Sequence, residues 1–198
     1  ISESNFRLVV DVKRGHKTGF YLDQRENRKR VAQDLTGFAT TPVRSLEILN
    51  VFSYTGGFAV YVCAANPDAR VINLDASGDA LNLARENLRL NGCEERGDAT
   101  RVEGDAFQIL RKYRDMGKSF DAIILDPPKF VHAQSQLNSG LRGYKDINLL
   151  AFKLLKPGGS LVTFSCSGQV SAELFQKIVF EAATDANRDA QIIAHLSQ

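Results

Sequence analysis

The sequence predicts an α/β fold, a mostly parallel sheet with helices on both faces. Three observations predict it. Short β-rich runs alternate with helical runs along most of the 198 residues, the rhythm of strand–helix–strand crossovers. Each run ends at Gly, Pro, Asn or Asp, the residues that punctuate such units. Apolar residues make up 43% and charged residues 24%, an ordinary composition for a chain that buries its own core.

The first 45 residues stand outside that rhythm. Phe6 to Val12 alternates like a two-sided strand, Gly15 to Leu22 reads as a turn and return strand, and Arg25 to Leu35 as a basic helix. Residues 1–45 are therefore expected to be a hairpin and helix docked on a body spanning 46–198. In that body the expected strands are Leu46–Val51, Arg70–Leu74, Thr100–Glu103, Phe120–Leu125, Ser160–Ser165 and Gln191–Ala194. The clearest helix is Ala80–Leu90, with Ala80, Leu81, Ala84 and Leu88 on one face, Ser77 or Asp79 as N-cap, and Asn91-Gly92 as its stop. Others are expected at Phe58–Ala65, Asp105–Met116, Ile147–Leu155 (ended by Lys156-Pro157-Gly158-Gly159) and Ser171–Ala186.

Composition excludes several classes. No apolar run approaches the roughly 20 residues of a membrane span, and the N-terminus Ile1-Ser2-Glu3-Ser4-Asn5 has no secretory leader pattern. Three scattered cysteines (Cys63, Cys93 and Cys166) without a C-x-x-C fit a reduced, cytoplasmic protein. With three scattered histidines, no metal-ligand spacing appears. The net charge is only +2, but residues 1–45 hold nine Lys/Arg against five Asp/Glu. That excess centres on Arg25-Glu26-Asn27-Arg28-Lys29-Arg30, which reads as a solvated helix face or a phosphate-contacting edge.

In an open parallel sheet, ligands bind beyond the carboxyl ends of the strands, where strand order reverses. The first strand is followed by Phe52-Ser53-Tyr54-Thr55-Gly56-Gly57, the second by Asp75-Ala76-Ser77, the third by Gly104-Asp105-Ala106, the fourth by Asp126-Pro127-Pro128-Lys129-Phe130, and the fifth by Cys166-Ser167-Gly168. Gly56-Gly57 suits a tight turn and a close backbone approach. Asp75 is placed to bind ribose hydroxyls, or to cap the next helix. Asp105 could accept from an adenine amino group beside the backbone N–H of Ala106, or cap its own helix. The G-x-G-x-x-G spacing that seats a pyrophosphate is absent. Ser53, Tyr54 and Thr55 suit an amino-acid-like or adenosyl ligand without phosphates, so a nicotinamide dehydrogenase is disfavoured.

Five segments, in this order, resemble the class I S-adenosylmethionine-dependent methyltransferases, whose fold is Rossmann-like. The resemblance is closer still to the RlmI-type large-subunit ribosomal RNA cytosine-5 methyltransferases and their near relatives. The segments are His16 to Arg25, Phe52 to Phe58, Asp126 to Phe130, Arg142 to Asn148, and Phe164 to Gly168. The resemblance implies S-adenosylmethionine as cofactor, bound by Phe52, Ser53, Tyr54, Thr55, Gly56, Gly57, Asp75, Ala76, Asp105, Ala106 and Asp126, with Gln24 and Arg25 added from the N-terminal segment. It implies ribosomal RNA as partner, a PUA domain upstream and a last sheet strand downstream, so the chain is expected to be a catalytic core. A homodimer is left open.

The chemistry centres on Cys166 and Asp126. Carbon 5 of cytosine is a poor nucleophile; a thiolate adding to carbon 6 turns the ring into an enamine that can take a methyl group. Cys166 is the expected nucleophile, and Asp126 the group that holds N3 and the amino edge. Lys129, Arg142 and Lys145 are expected on the phosphate backbone, Phe130 and Tyr144 as a stacking surface. The cysteine that helps release product in many such enzymes is replaced here by Pro128. Asp126-Pro127-Pro128 also resembles the grip of N-methyltransferases on a guanine or exocyclic amine, which keeps that reaction as an alternative. A non-catalytic module binding S-adenosylmethionine and RNA is a third.

Overall fold

The computed structural model describes residues 1–13, 15, 19–37, 45–93 and 100–196. The chain opens with a small antiparallel hairpin, β1 (Ser2–Glu3) and β2 (Phe6–Arg7). A single 3-10 turn at Leu22–Gln24 leads into α1 (Arg25–Gly37). The hairpin therefore lies earlier than the alternation predicts. Past it, Leu8 still bonds the backbone of Ile1, whereas the N–H and C=O of Val9 bond a side chain of a later helix and not a partner strand. Of the expected return strand, Gly15 and 19–22 form none, and residues 16–18 lie outside the described residues.

The body alternates β3 (Glu47–Val51), α2 (Gly57–Ala65), β4 (Arg70–Asp75), α3 (Gly78–Leu90), β5 (Arg101–Glu103), α4 (Ala106–Asp115), β6 (Phe120–Leu125), α5 (Leu137–Leu154), β7 (Leu155–Thr163) and α6 (Ala172–Asp185). The five strands β3 to β7 form one parallel sheet in the order β5-β4-β3-β6-β7. This is the Rossmann-like class I arrangement. Local chemistry sets the helix starts: Ser77 Oγ accepts from Ala80 N (3.2 Å), Asp105 Oδ1 from Gln108 N (2.9 Å), and Ser171 Oγ from Leu174 N (3.2 Å).

The strands divide their side chains between two cores, as the two-residue period demands. Ile48, Val71 and Ile124 face a cluster with Phe58 and Val60 of α2, and Val31 and Leu35 of α1. Leu49, Val51, Leu74, Ile123 and Leu125 face Leu110 of α4, Ile147 and Leu154 of α5, and Ala182 of α6. Leu8 and Phe20 also belong to the first cluster.

Two expected elements change. β7 begins at Leu155, with Phe120 opposite Leu155 but Ala122 opposite Ser160, so Lys156 to Gly159 loop out as an irregularity in the strand. Gly158 there takes φ +74°. Gln191–Ala194 forms no strand: Ile192 and Ile193 are 41% and 61% exposed, and β6 is the neighbour of β7 among the described strands. No helix among the described residues is long and apolar enough to cross a membrane.

Candidate functional site

After β3 the chain goes to β4 on one side of the sheet, and β6 later returns on the other side. The crevice beyond Val51 and Leu125 is thus the switch point. The first loop lies at its lip and is bent tightly: Phe52, Tyr54 and Gly56 take φ of 59°, 46° and 77°. For two non-glycine residues this is a costly conformation, on the order of 1–3 kcal/mol each. It is held by Ser53 N to Leu74 O (3.0 Å), Tyr54 N to Asp75 Oδ2 (2.7 Å) and Gly56 N to Ser53 O (2.8 Å).

The glycine pair has an internal reason. A Cβ on Gly56 would lie 2.9 Å from Ala84 Cβ, and one on Gly57 3.0 Å from Arg28 Cδ. Both residues let the start of α2 press against its neighbours. Asp75 clamps the loop from the next strand end, accepting from Tyr54 N and, at 3.0 Å, from Ser77 N. Ala76 beside it is exposed. Asp105 is exposed and caps α4, while Ala106 is buried. Ser53 Oγ is buried and has no hydrogen-bond partner. An orphaned hydroxyl in a strained loop, next to the first N–H groups of α2, which have no partner within the helix, fits a ligand carrying polar groups.

Asn87 supports this loop without being evident in the sequence. It is fully buried on the otherwise apolar face of α3, and its Nδ2 donates to Thr55 O at 2.9 Å. Its Oδ1 accepts from Val9 N at 2.6 Å, and one turn on Asn91 bonds both N and O of Arg7 at 3.0 and 2.8 Å. The only sequence signal is a polar residue at an apolar position of that helix.

Opposite the first loop, three expected residues come together. Asp126, just past β6, receives Gln24 Nε2 at 3.2 Å and Cys166 Sγ at 3.9 Å, both on Oδ1. Ser167 fixes the loop carrying Cys166: its Oγ accepts from Val131 N (3.2 Å) and meets Tyr144 Oη (2.9 Å). Gln24 is only 2% exposed, and its Oε1 accepts from Asn27 Nδ2 at 2.7 Å. Its amide is therefore occupied within the protein rather than presented to a cofactor.

The expected substrate residues separate. Lys129 and Arg142 are exposed, as their proposed role requires. Tyr144 is fully buried and cannot stack on a base; its ring lies 4.7 Å from that of Phe130 and 5.4 Å from that of Phe175. Phe130 is partly exposed and also contacts Phe52 and Phe107. Lys145 pairs with Asp185 (2.9 Å) and Glu181 of α6, and the Asp185 bond raises its pKa. It ties two helices together instead of facing a phosphate.

The basic run is likewise divided. Arg28 is buried against Glu3 with Nη2 at 2.7 Å from both carboxylate oxygens, and lies over the Phe20 ring at 4.5 Å. Arg25 pairs with Glu26 and Arg30 with Asp34, leaving Lys29 as an exposed cation of that helix. Cys63 and Cys93, read as core and loop, both lean on the first core cluster. A hydrogen bond with Cys63 holds the Cys93 thiol below its usual range against the opposing effect of burial. No group of three or more His, Cys, Asp or Glu among the described residues is placed to hold a metal.

A parallel sheet with this strand order, a tight first loop and an acidic rim defines a nucleoside-binding α/β domain. Residues 1–188 match a family described as S-adenosylmethionine-dependent methyltransferase. The chain belongs to that family, and S-adenosylmethionine is its cofactor. It is 52% identical over 198 residues to "Ribosomal RNA large subunit methyltransferase I" of Shewanella amazonensis and 52% identical over 199 residues to the protein of the same name from Cronobacter sakazakii. Both matches cover 100% of this chain and 48% of the relative, so the chain spans about half the length of the curated relatives it matches. A solved structure of a S-adenosylmethionine-dependent methyltransferase from Agrobacterium tumefaciens superposes with a TM-score of 0.64 at 26% identity, covering 84% of this chain and 51% of that one.

Proposed function

We propose that the protein methylates carbon 5 of a cytosine in large-subunit ribosomal RNA through a covalent adduct on Cys166. The observation that carries the reading is the meeting of Cys166 Sγ and Asp126 Oδ1, 3.9 Å apart, beside the switch point. The names of the relatives support the RNA substrate. The cofactor supplies a methyl group on a sulfonium, the electrophile for carbon 5.

The chain supplies the rest. Cys166 bonds carbon 6 of the ring through sulfur while its proton passes to the Asp126 carboxylate. Asp126 then donates that proton to N3, so the electrons released into the ring accumulate at carbon 5. Once carbon 5 carries the methyl group, loss of its proton to a base expels the Cys166 sulfur as a thiolate, and the proton on N3 returns through Asp126 to that sulfur, which restores the aromatic ring and the starting state of both side chains. The base extruded from folded RNA meets the exposed edge of Phe130, with Lys129 and Arg142 near the phosphates. Ser53, Asp75 and the N–H groups at the start of α2 would hold the cofactor's polar groups.

The test is methyl transfer to a ribosomal RNA transcript by the full-length protein and its Cys166→Ala variant, with the product base identified by mass. Loss of transfer and a 5-methylcytosine product in the wild type are expected. Near-wild-type transfer by Cys166→Ala, with the methyl group on an amine, would assign the site to N-methylation by Asp126-Pro127-Pro128. Cofactor binding without transfer in the wild type would make it a binding module.

A further inference from the structure

We infer that Gln24 is a positioning residue of the transfer site, one that fixes the Asp126 carboxylate against Cys166. The inference rests on the reading of Asp126 and Cys166 given above. Gln24 is 2% exposed, and its two amide ends are committed to different partners. Oε1 accepts from Asn27 Nδ2 at 2.7 Å, and Nε2 donates to Asp126 Oδ1 at 3.2 Å. Asn27 has only donor hydrogens on the atom it offers, so it requires the oxygen of Gln24 on its own side. The N–H of Gln24 is thereby turned to Asp126.

The consequence lies in which oxygen is engaged. Oδ1 receives both the Gln24 amide and the Cys166 sulfur. Gln24 thus holds the carboxylate at the rotation that presents this oxygen to the thiol. Without the amide, the Asp126 carboxylate loses a bond that sets the rotation of Oδ1, and the alignment of the sulfur with the proton acceptor slackens. Gln24 acts through Asp126 and is not itself required to touch substrate. It also makes the N-terminal segment part of the reaction centre, although the centre's other members come from the ends of β6 and β7.

The Cys166 thiol faces Oδ1 directly. Asp23, Arg25 and Lys129 are exposed on the flanking segments, and the Arg28 guanidinium is committed to Glu3 and Tyr21 O. A carboxylate put in place of the Gln24 amide would face Asp126 as a like charge. The pair would then align only when it shared a proton.

The experiment compares Gln24→Leu, Gln24→Glu and Cys166→Ala in the full-length protein. Methyl transfer to a ribosomal RNA transcript is measured across pH, and S-adenosylmethionine binding by calorimetry. Gln24→Leu is expected to lower kcat about tenfold to a hundredfold, as misalignment of a reacting group does, with cofactor affinity and KM for RNA within about twofold. Gln24→Glu is expected to be slow at neutral pH and to recover as pH falls, giving an alkaline limb absent from the wild type. Equal kcat for Gln24→Leu and wild type at every pH overturns the inference. So does a joint loss of cofactor binding and kcat in both variants without recovery at low pH, which marks a merely structural side chain. The Cys166→Ala arm is read separately: if it retains transfer, the covalent reading fails, and the two Gln24 profiles still decide whether this residue positions Asp126.

Discussion

Arg28 and Glu3 form a two-pronged ion pair in which each side chain is only 3% exposed. Tyr61 of α2 adds its hydroxyl to the same carboxylate at 3.0 Å. Three segments meet there: the hairpin, α1 and α2. Removing one partner leaves a buried charge uncompensated, so Arg28→Met is expected to cost about 3–5 kcal/mol in a denaturant titration. A Glu3→Leu/Arg28→Met double variant is expected to recover much of that loss. If the single change costs no more than an exposed pair would, the junction is not what holds the segment.

Burial, the largest influence, raises the Tyr61 pKa above its ordinary value of about 10. The unfolded chain ionises first, so this contribution is whole below about pH 10 and fades as pH climbs through the raised value. Denaturation midpoints in alkaline buffer are expected to fall less steeply in Tyr61→Phe than in wild type.

Gly56 answers to two demands that can be separated. It holds φ +77°, and a Cβ added there would lie 2.9 Å from Ala84 Cβ. Gly56→Ala is expected to cost about 1–3 kcal/mol by overpacking, with the backbone penalty added. Adding Ala84→Gly relieves only the contact. Full restoration of the thermal midpoint by the second change would show that the backbone conformation matters little.

Asp75 holds Tyr54 N and Ser77 N at once. Asp75→Ala is therefore expected to weaken S-adenosylmethionine binding more than tenfold in calorimetry, since lost hydrogen bonds to a charged group are worth about 1.5–3 kcal/mol each. An unchanged affinity would leave Asp75 with the loop alone.

Tyr144 supports Phe130 from below and bonds Ser167. Tyr144→Phe is expected to cost about 1 kcal/mol through the lost hydroxyl bond, with KM for RNA unchanged. Tyr144→Leu leaves a void under Phe130 and is expected to cost about 2–5 kcal/mol. A raised KM in Tyr144→Phe would return this residue to the RNA surface.

Lys145 gives a contrasting result. Its bonds run to Asp185 and Glu181, so Lys145→Met is expected to leave RNA retention in a filter assay intact. Because Asp185 raises its pKa, the pair persists below the ordinary lysine range and is lost as pH rises through the raised value. Loss of RNA binding in this variant would reassign it to a phosphate.

Much of the sheet was legible because buried parallel strands are short apolar runs with clear stops. Phe120–Leu125 occurs as read, and Ser77, Asp105 and Ser171 cap the helices that follow them. Rim residues could be listed from strand ends alone, since topology brings those ends together. What periodicity could not show was the use of each polar group. Arg28 sits in a basic run yet is buried, because its partner lies 25 residues away. Tyr144 and Lys145 are adjacent in a family motif, but consecutive helix residues face different ways, one into the core and one to α6. The misplaced hairpin has the same origin: residues 7 and 9 satisfy their backbone on asparagine side chains, a substitute for a strand that no alternation pattern encodes. Ile192 and Ile193 look like a strand, but an apolar run becomes one only beside a sheet edge that accepts it.

Asn87 and Asn91 grip only main-chain atoms of the segment ahead of Gln24. The identities of residues 7 and 9 are invisible to that grip, whereas their spacing is not. Inserting or deleting a single amino acid between Arg7 and Val9 would take one of the two main-chain grips off its asparagine. Length upstream of the centre is thus held more strictly than lettering, a constraint that counting gaps among natural variants would reveal.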